Sequence, residues 1–198
     1  LHTNIKIIMQ EIEIERESME YDVVIVGAGP AGLSSAIKLK QLCDEASKEI
    51  SICVVEKGSE VGAHILSGNV FDPKALNELI PNWKEAGAPL NTPVKSDSVK
   101  YFINEQTSIP IPTFLATTFK NHGNYIMSLG NFCRWLAEQA ESLEIDIFPG
   151  FTASHLIYEN DKVSGVSTGD MGIDANGDKK PSYEPGIDLK AKYTILSE

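Results

Sequence analysis

The sequence predicts an α/β fold, and three observations carry that prediction. A short apolar, β-branched run at residues 21–26 (Y-D-V-V-I-V) stops abruptly at a glycine. An amphipathic helical stretch follows from residue 29 to about residue 46, with Leu33, Ala36, Ile37, Leu39 and Leu42 near helical spacing. A second apolar run, residues 50–56 (I-S-I-C-V-V-E), completes the alternation. Runs this short and this apolar suit strands buried on both faces of a parallel sheet. Strand, helix and strand together make a right-handed βαβ unit.

The first strand joins the helix through Gly27-Ala28-Gly29-Pro30-Ala31-Gly32, which fits G-x-G-x-x-G in the context that pattern requires. Gly27 allows the tight turn out of the strand. Gly29 has no side chain, so the backbone can approach a pyrophosphate. Gly32 lets the helix lie close to the sheet. The helix N-terminus offers unpaired N–H groups and a partial positive charge to a diphosphate. Glu56 ends the second strand, where a carboxylate accepts hydrogen bonds from the adenosine ribose and disfavours a 2′-phosphate. The alternative is a glycine turn in an α/β fold that binds nothing.

The motif alone does not separate FAD from NAD, because both carry the ADP half. The sequence after Glu56 favours FAD. Lys57 leads into a second glycine-bearing loop, Gly58 to Gly62, and a long proline-punctuated insertion follows where a simple NAD domain would continue with regular βα units. The expected architecture is therefore an FAD-binding Rossmann-like domain of glutathione-reductase type with an inserted α+β segment. Residues 1–20 read as an N-terminal extension and 21–70 as the FAD-binding βαβ unit. Residues 71–128 are the insertion, and 129–198 return to the FAD domain as a helix plus a β-meander.

Within the insertion, Asp72-Pro73 marks a helix start, and residues 98–104 read as a strand. In the returning part, a helix is predicted from Gly130 or Asn131 to about Ser142, then a strand over 145–148. A hairpin is predicted over 153–158 and 163–167 around Glu159-Asn160-Asp161-Lys162, and a last strand over 189–197.

Composition narrows the partners. Acidic residues outnumber basic ones 28 to 17 across 198 residues, a net charge of −11. That argues against nucleic acid, whose binding rests on Lys and Arg, and against docking on anionic lipid by charge. No apolar run approaches the roughly 20 residues of a spanning helix, so any membrane contact has to be apolar and superficial. Cys43, Cys53 and Cys133 are widely spaced, form no cluster motif, and read as small buried apolar residues.

Several stretches carry a closer resemblance. They include V-V-E-K-G-S-E-V-G-A-H-I-L-S-G-N-V-F-D-P at residues 54–73, W-K-E-A-G-A-P-L-N-T-P-V at 83–94, N-H-G-N-Y-I at 121–126 and T-G-D-M-G-I at 168–173. With the glycine turn, these make the chain similar to the N-terminal third of the electron transfer flavoprotein–ubiquinone oxidoreductase family. The resemblance implies an FAD enzyme that passes electrons from reduced electron transfer flavoprotein to ubiquinone. It implies a peripheral inner-membrane location, on the cytoplasmic face if bacterial and the matrix face if mitochondrial. It also implies a [4Fe–4S] cluster whose cysteines lie in the part of the family beyond Glu198. On this reading the chain is a truncated fragment, inactive by itself. Another FAD-dependent reductase or hydroxylase, or an FAD-binding module without turnover, stays open.

The resemblance places His64, Ser67 and Gly68 beside the flavin ring; the alternative is a loop held by local side-chain bonds. By analogy with similar flavoproteins, residues 151–153, ending at Ala153, pass the adenine with backbone contacts. Arg134 reads as a surface arginine. No catalytic residue is expected, since no triad or metal-bound water is found. The stretch 109–119 is uncharged, apolar and broken by Pro110 and Pro112. Ile109, Ile111, Phe114, Leu115 and Phe119 are its candidates for a membrane- or quinone-facing surface; a buried core loop is the alternative.

Overall fold

The computed structural model describes residues 16–66, 68–112, 114, 119–174 and 176–198. The predicted site residues Ser67 and Leu115 lie outside the described residues. The elements in chain order are β1 (Ser18–Val26), α1 (Pro30–Glu45), β2 (Ile52–Glu56), β3 (Asn69–Phe71), α2 (Lys74–Leu79), β4 (Thr92–Pro93), β5 (Val99–Phe102), β6 (Ser108–Ile111), β7 (Tyr125–Met127), α3 (Leu129–Glu141), β8 (Asp146–Pro149), β9 (Ala153–Glu159), β10 (Lys162–Thr168), β11 (Met171–Ile173), β12 (Lys179–Glu184) and β13 (Asp188–Leu196).

The main sheet has the order β8-β2-β1-β13-β10-β9. Its first four strands are mutually parallel, and β10 and β9 continue it antiparallel. The apolar runs at 23–26 and 52–55 are buried throughout, as strands covered on both faces must be. Alternate side chains feed two cores. Val23, Ile25, Ile52 and Val54 pack under α1 and α3. Val24, Val26, Cys53 and Val55 face Val166, Leu189 and Ala191 on the opposite side.

β1 begins three residues before the predicted strand. Ser18, Met19 and Glu20 already pair with Asp188, Leu189 and Lys190. Arg16 fixes this entry. Its guanidinium donates to Asp170 at 2.8 Å and to the Thr168 carbonyl, and lies 3.4 Å from Asp188. α3 starts at Leu129, one or two residues before the predicted start, and its N-cap Ser128 accepts the Asn131 N–H on Oγ at 3.4 Å.

β5 falls within the strand predicted over 98–104, but β3, β4, β6 and β7 are short strands that periodicity did not reveal. β3-β7-β4 form one small sheet and β5-β6 a separate two-stranded ribbon. The insertion's first part is pinned to the main core through two tryptophans, its own Trp83 and Trp135 of α3. Trp83 Nε1 donates to Asn77 Oδ1 at 2.7 Å, Trp135 Nε1 donates to the Ala86 carbonyl at 2.9 Å, and Trp83 meets Tyr125 edge to face. Residues 109–111, expected in an irregular run, belong to β6. Pro110 is accommodated because a two-stranded ribbon has an open edge that needs no donor from it.

Candidate functional site

The C-terminal ends of β1, β2 and β13 come together at the glycine turn. Gly27 donates its N–H to the Val55 carbonyl at 2.8 Å, and the Ser197 N–H donates to the Val26 carbonyl at 2.9 Å. Gly27 has φ +102°, which favours glycine, and a side chain there would press on the Ser197 carbonyl. A Cβ on Gly32 would overlap the Gly27 carbonyl oxygen, so α1 lies against the turn that launches it.

Gly29 is different. Its backbone is extended, with φ −76° and ψ −179°, and a Cβ there would meet nothing within 4 Å. Neither strain nor a protein neighbour requires glycine at this position. The empty space lies at the head of α1, which has no side-chain cap and has Pro30 in its first turn. The helical ladder begins with the Leu33 N–H donating to the Gly29 carbonyl at 3.0 Å, so the Ala31 and Gly32 amides precede it. A helix head with unladdered amides and a side-chain-sized gap fits a diphosphate.

Glu56 stands beside this gap. Its Oε2 accepts the Ala28 N–H at 3.0 Å and its Oε1 accepts the Gly58 N–H at 2.7 Å. Each carboxylate oxygen keeps a second lone pair for a ligand hydroxyl. Lys57 is half exposed and lies 3.5 Å from the Glu198 carboxylate. The connection after β8 joins the same corner. Gly150 donates to the Gly58 carbonyl at 2.7 Å and Phe151 to the Glu56 carbonyl at 3.0 Å, with half-buried Ala153 opening β9 two residues on.

The structure thus gathers Gly27, Ala28, Gly29, Pro30, Ala31, Gly32, Glu56, Lys57 and the 151–153 connection at one corner of the sheet. His64 and Gly68 lie exposed on the loop after β2. Arg134, read as a plain surface residue, has fixed partners: it donates to Asn131 Oδ1 at 2.7 Å and to Glu60 Oε1 at 3.1 Å. The sequence held no signal for that pair, because Glu60 and Arg134 are joined only by the packing of α3 beside the loop.

Ile109, Phe114 and Phe119 are exposed and Ile111 is half buried, on or beside the β5-β6 ribbon. Tyr101, Phe102 and Ile103 add to the same exposed set. The base of this projection is stapled. Asp97 accepts the Asn121 backbone N–H and its side-chain amide, each at 2.9 Å. Those two donors hold the Asp97 carboxyl below its ordinary range.

The cysteines do not form a ligand set. Cys53 belongs to one core and Cys133 to the core across the sheet, and Cys43 is half buried on α1. Burial pushes the Cys53 thiol up to about 12 and the Cys133 thiol up to about 11. Among the described residues no group of three or more His, Cys, Asp or Glu could hold a metal ion. The residues present do not fit an iron–sulfur cluster, which needs four convergent thiolates.

The family model for pyridine nucleotide-disulphide oxidoreductase matches residues 21–164. The electron transfer flavoprotein-ubiquinone oxidoreductase of Pseudomonas aeruginosa is 60% identical over 188 residues, covering 93% of this chain and 34% of the relative. The mitochondrial electron transfer flavoprotein-ubiquinone oxidoreductase of Dictyostelium discoideum is 52% identical, covering all of this chain and 32% of the relative. The chain spans about a third of the length of the curated relatives it matches. A geranylgeranyl bacteriochlorophyll reductase-like protein from Thermoplasma acidophilum shares the fold, with a TM-score of 0.64 at 22% identity, covering 91% of this chain and 40% of that one.

Proposed function

The chain belongs to the pyridine nucleotide-disulphide oxidoreductase family, and from that premise we propose that it is the FAD-binding part of an enzyme that carries electrons from electron transfer flavoprotein to ubiquinone. The observation that carries the cofactor assignment is the gap at Gly29, which no neighbour among the described residues explains. The donor and acceptor assignment rests on relatives at 48–60% identity that bear that name.

FAD, when bound, supplies the redox centre. The chain's own residues hold and orient it. The amides of Ala31 and Gly32 face the diphosphate, Glu56 accepts from the adenosine ribose, and the 151–153 backbone borders the adenine. His64, Ser67 and Gly68 belong to the loop assigned to the flavin ring. No side chain here needs to move a proton in this reading. The cluster expected in such enzymes is assigned to sequence beyond this chain's span.

The apolar residues of the β5-β6 ribbon form the surface that meets the membrane and the quinone tail. Phe102 is 66% and Phe114 71% exposed, Ile109 and Phe119 are exposed as well, and Ile111 and Leu115 belong to the same stretch of sequence. With a net charge of −11 the protein cannot be drawn to anionic lipid by charge, so apolar contact has to hold it. No described helix is long and apolar enough to cross a membrane. In this reading the enzyme sits peripherally on the inner membrane, on the cytoplasmic face if bacterial and the matrix face if mitochondrial.

The test is a chimera in which these residues replace the aligned third of the Pseudomonas aeruginosa relative. It should bind FAD and reduce a long-tailed ubiquinone with reduced electron transfer flavoprotein as donor. A chimera that binds FAD but takes electrons only from another donor would refute the assignment of substrate.

A further inference from the structure

We propose that Glu56 is a positioning residue that ties the glycine turn to the loop after β2 before any cofactor arrives. The proposal rests on the FAD reading only for its effect on ligand binding. The ribose contact expected of an acid at this strand end needs nothing from Glu56 in the free protein. Yet both of its carboxylate oxygens are engaged there, and by two different segments. Oε2 takes the Ala28 N–H, in the middle of the glycine turn, at 3.0 Å. Oε1 takes the Gly58 N–H, in the loop that leads to His64, at 2.7 Å. The main chain of the same residue accepts Phe151, and Gly58 in turn accepts Gly150. The glycine turn and the loop therefore meet on the Glu56 side chain, and the returning connection bonds the main chain beside it.

Burial makes this arrangement consequential. Ala28 is 1% exposed and Gly58 is also buried, so water does not readily replace the carboxylate as acceptor for either amide. A buried N–H left without a partner is costly, and bonds to charged groups are the stronger kind. Two donors on two oxygens also require an acceptor-only group. Glutamine keeps one oxygen and replaces the other with an NH₂ that would face an N–H. Aspartate is one methylene short of both amides. Glutamate alone meets the demand, and the ribose hydroxyls then use lone pairs already held in place.

The test uses the 198-residue chain without cofactor. In Glu56→Gln, hydrogen exchange at the Ala28 and Gly58 amides should accelerate by about tenfold or more, while amides of the β9-β10 hairpin keep their protection. If that variant does not fold, the wild-type chain still decides: scalar couplings across the hydrogen bonds should link the Ala28 and Gly58 amide nitrogens to the Glu56 side-chain carboxyl carbon. Unchanged protection in the variant, or either coupling missing in the wild type, would overturn the positioning role. FAD titration of the same proteins reads the cofactor assignment separately. A chain that shows both couplings but never binds FAD keeps the positioning role and loses the other.

Discussion

The β1-α1-β2 unit and the β5-β6 ribbon treat apolar sequence in opposite ways. In the first, residues 23–26, Leu33, Ala36, Ile37 and residues 52–55 are all buried. In the second, Tyr101, Phe102, Ile103 and Ile109 stand in the open, with Phe114 and Phe119 beside them. The difference lies in what each segment can reach. Strands in the middle of this parallel sheet pack under helices on one face and share a second core with Val166, Leu189 and Ala191 on the other, so their side chains find partners. Among the described residues the ribbon is held at its base by Asp97 and Asn121 and pairs with no third strand. Apolar content alone therefore says little about burial. Position in the layer order decides it, and an exposed set of this size calls for an apolar partner.

The sharpest way to break the buried unit is at Gly32. A Cβ there overlaps the Gly27 carbonyl, so α1 must shift off the sheet. Gly32→Ala should destabilise the chain by about 3 kcal/mol, measured by denaturant or thermal unfolding. A melt equal to wild type would mean that α1 is not seated as closely as the geometry requires.

The ribbon should respond in the opposite sense. Phe102→Ser with Phe114→Ser should change stability by no more than about 0.5 kcal/mol each, as exposed sites do. Phe132, buried between Phe71 and Trp135, provides the contrast. Phe132→Ala should cost about 3–5 kcal/mol. In the chimera, the ribbon variants should lose liposome association and activity with long-tailed quinone, and keep activity with a water-soluble acceptor. A large fall in melting temperature with liposome binding intact would make the ribbon a core element.

The same contrast explains what the sequence revealed. The βαβ unit, the glycine turn, Glu56 and the β9-β10 hairpin were readable because each has a local code. These codes are a buried run, a helical period, three spaced glycines, and an Asn160-Asp161 turn whose residues adopt φ +49° and +60°. β3, β4 and β7 were not readable, because strands of two or three residues carry no period. β6 was obscured by Pro110, which usually argues against a strand and is tolerated here by an open edge. Within the site, the positions of Glu56 and the glycines were legible. The engagement of Glu56 with Ala28, and the Arg134–Glu60 pair, join segments distant in sequence and could only be seen in the fold.

Glu56 gives a smaller effect than loss of the helix seat. Glu56→Ala should weaken FAD in the chimera about tenfold or more, in line with roughly 1.5–3 kcal/mol for a charge-assisted bond. Because both oxygens are acceptors, Glu56→Gln should approach the alanine variant. Titration curves that leave both variants at wild-type affinity would remove Glu56 from the site.

The smallest effect is expected at the far end of the same strands. Asp22 bonds Lys192 at 2.6 Å and the Ser51 backbone N–H at 2.9 Å. The Lys192 bond, then the Ser51 bond, lower its carboxyl to about 2. Its contribution is therefore present above the ordinary aspartate range and lost as pH falls through about 2. Lys192 is largely exposed, so solvent screens the pair and its contribution is small. The stability gap between wild type and Asp22→Asn should close between about pH 5 and pH 2; a gap constant over that range would rule out the pair as its source.

The measurement that bears most directly on the cofactor site is made at Gly29, where the protein itself has room for a side chain. Gly29→Val in the chimera should melt, free of cofactor, within about 0.5 kcal/mol of the parent. In an FAD titration followed by flavin absorbance, the parent should saturate and the variant should retain no flavin. A variant that binds FAD with the parent's Kd would contradict a diphosphate held at this turn.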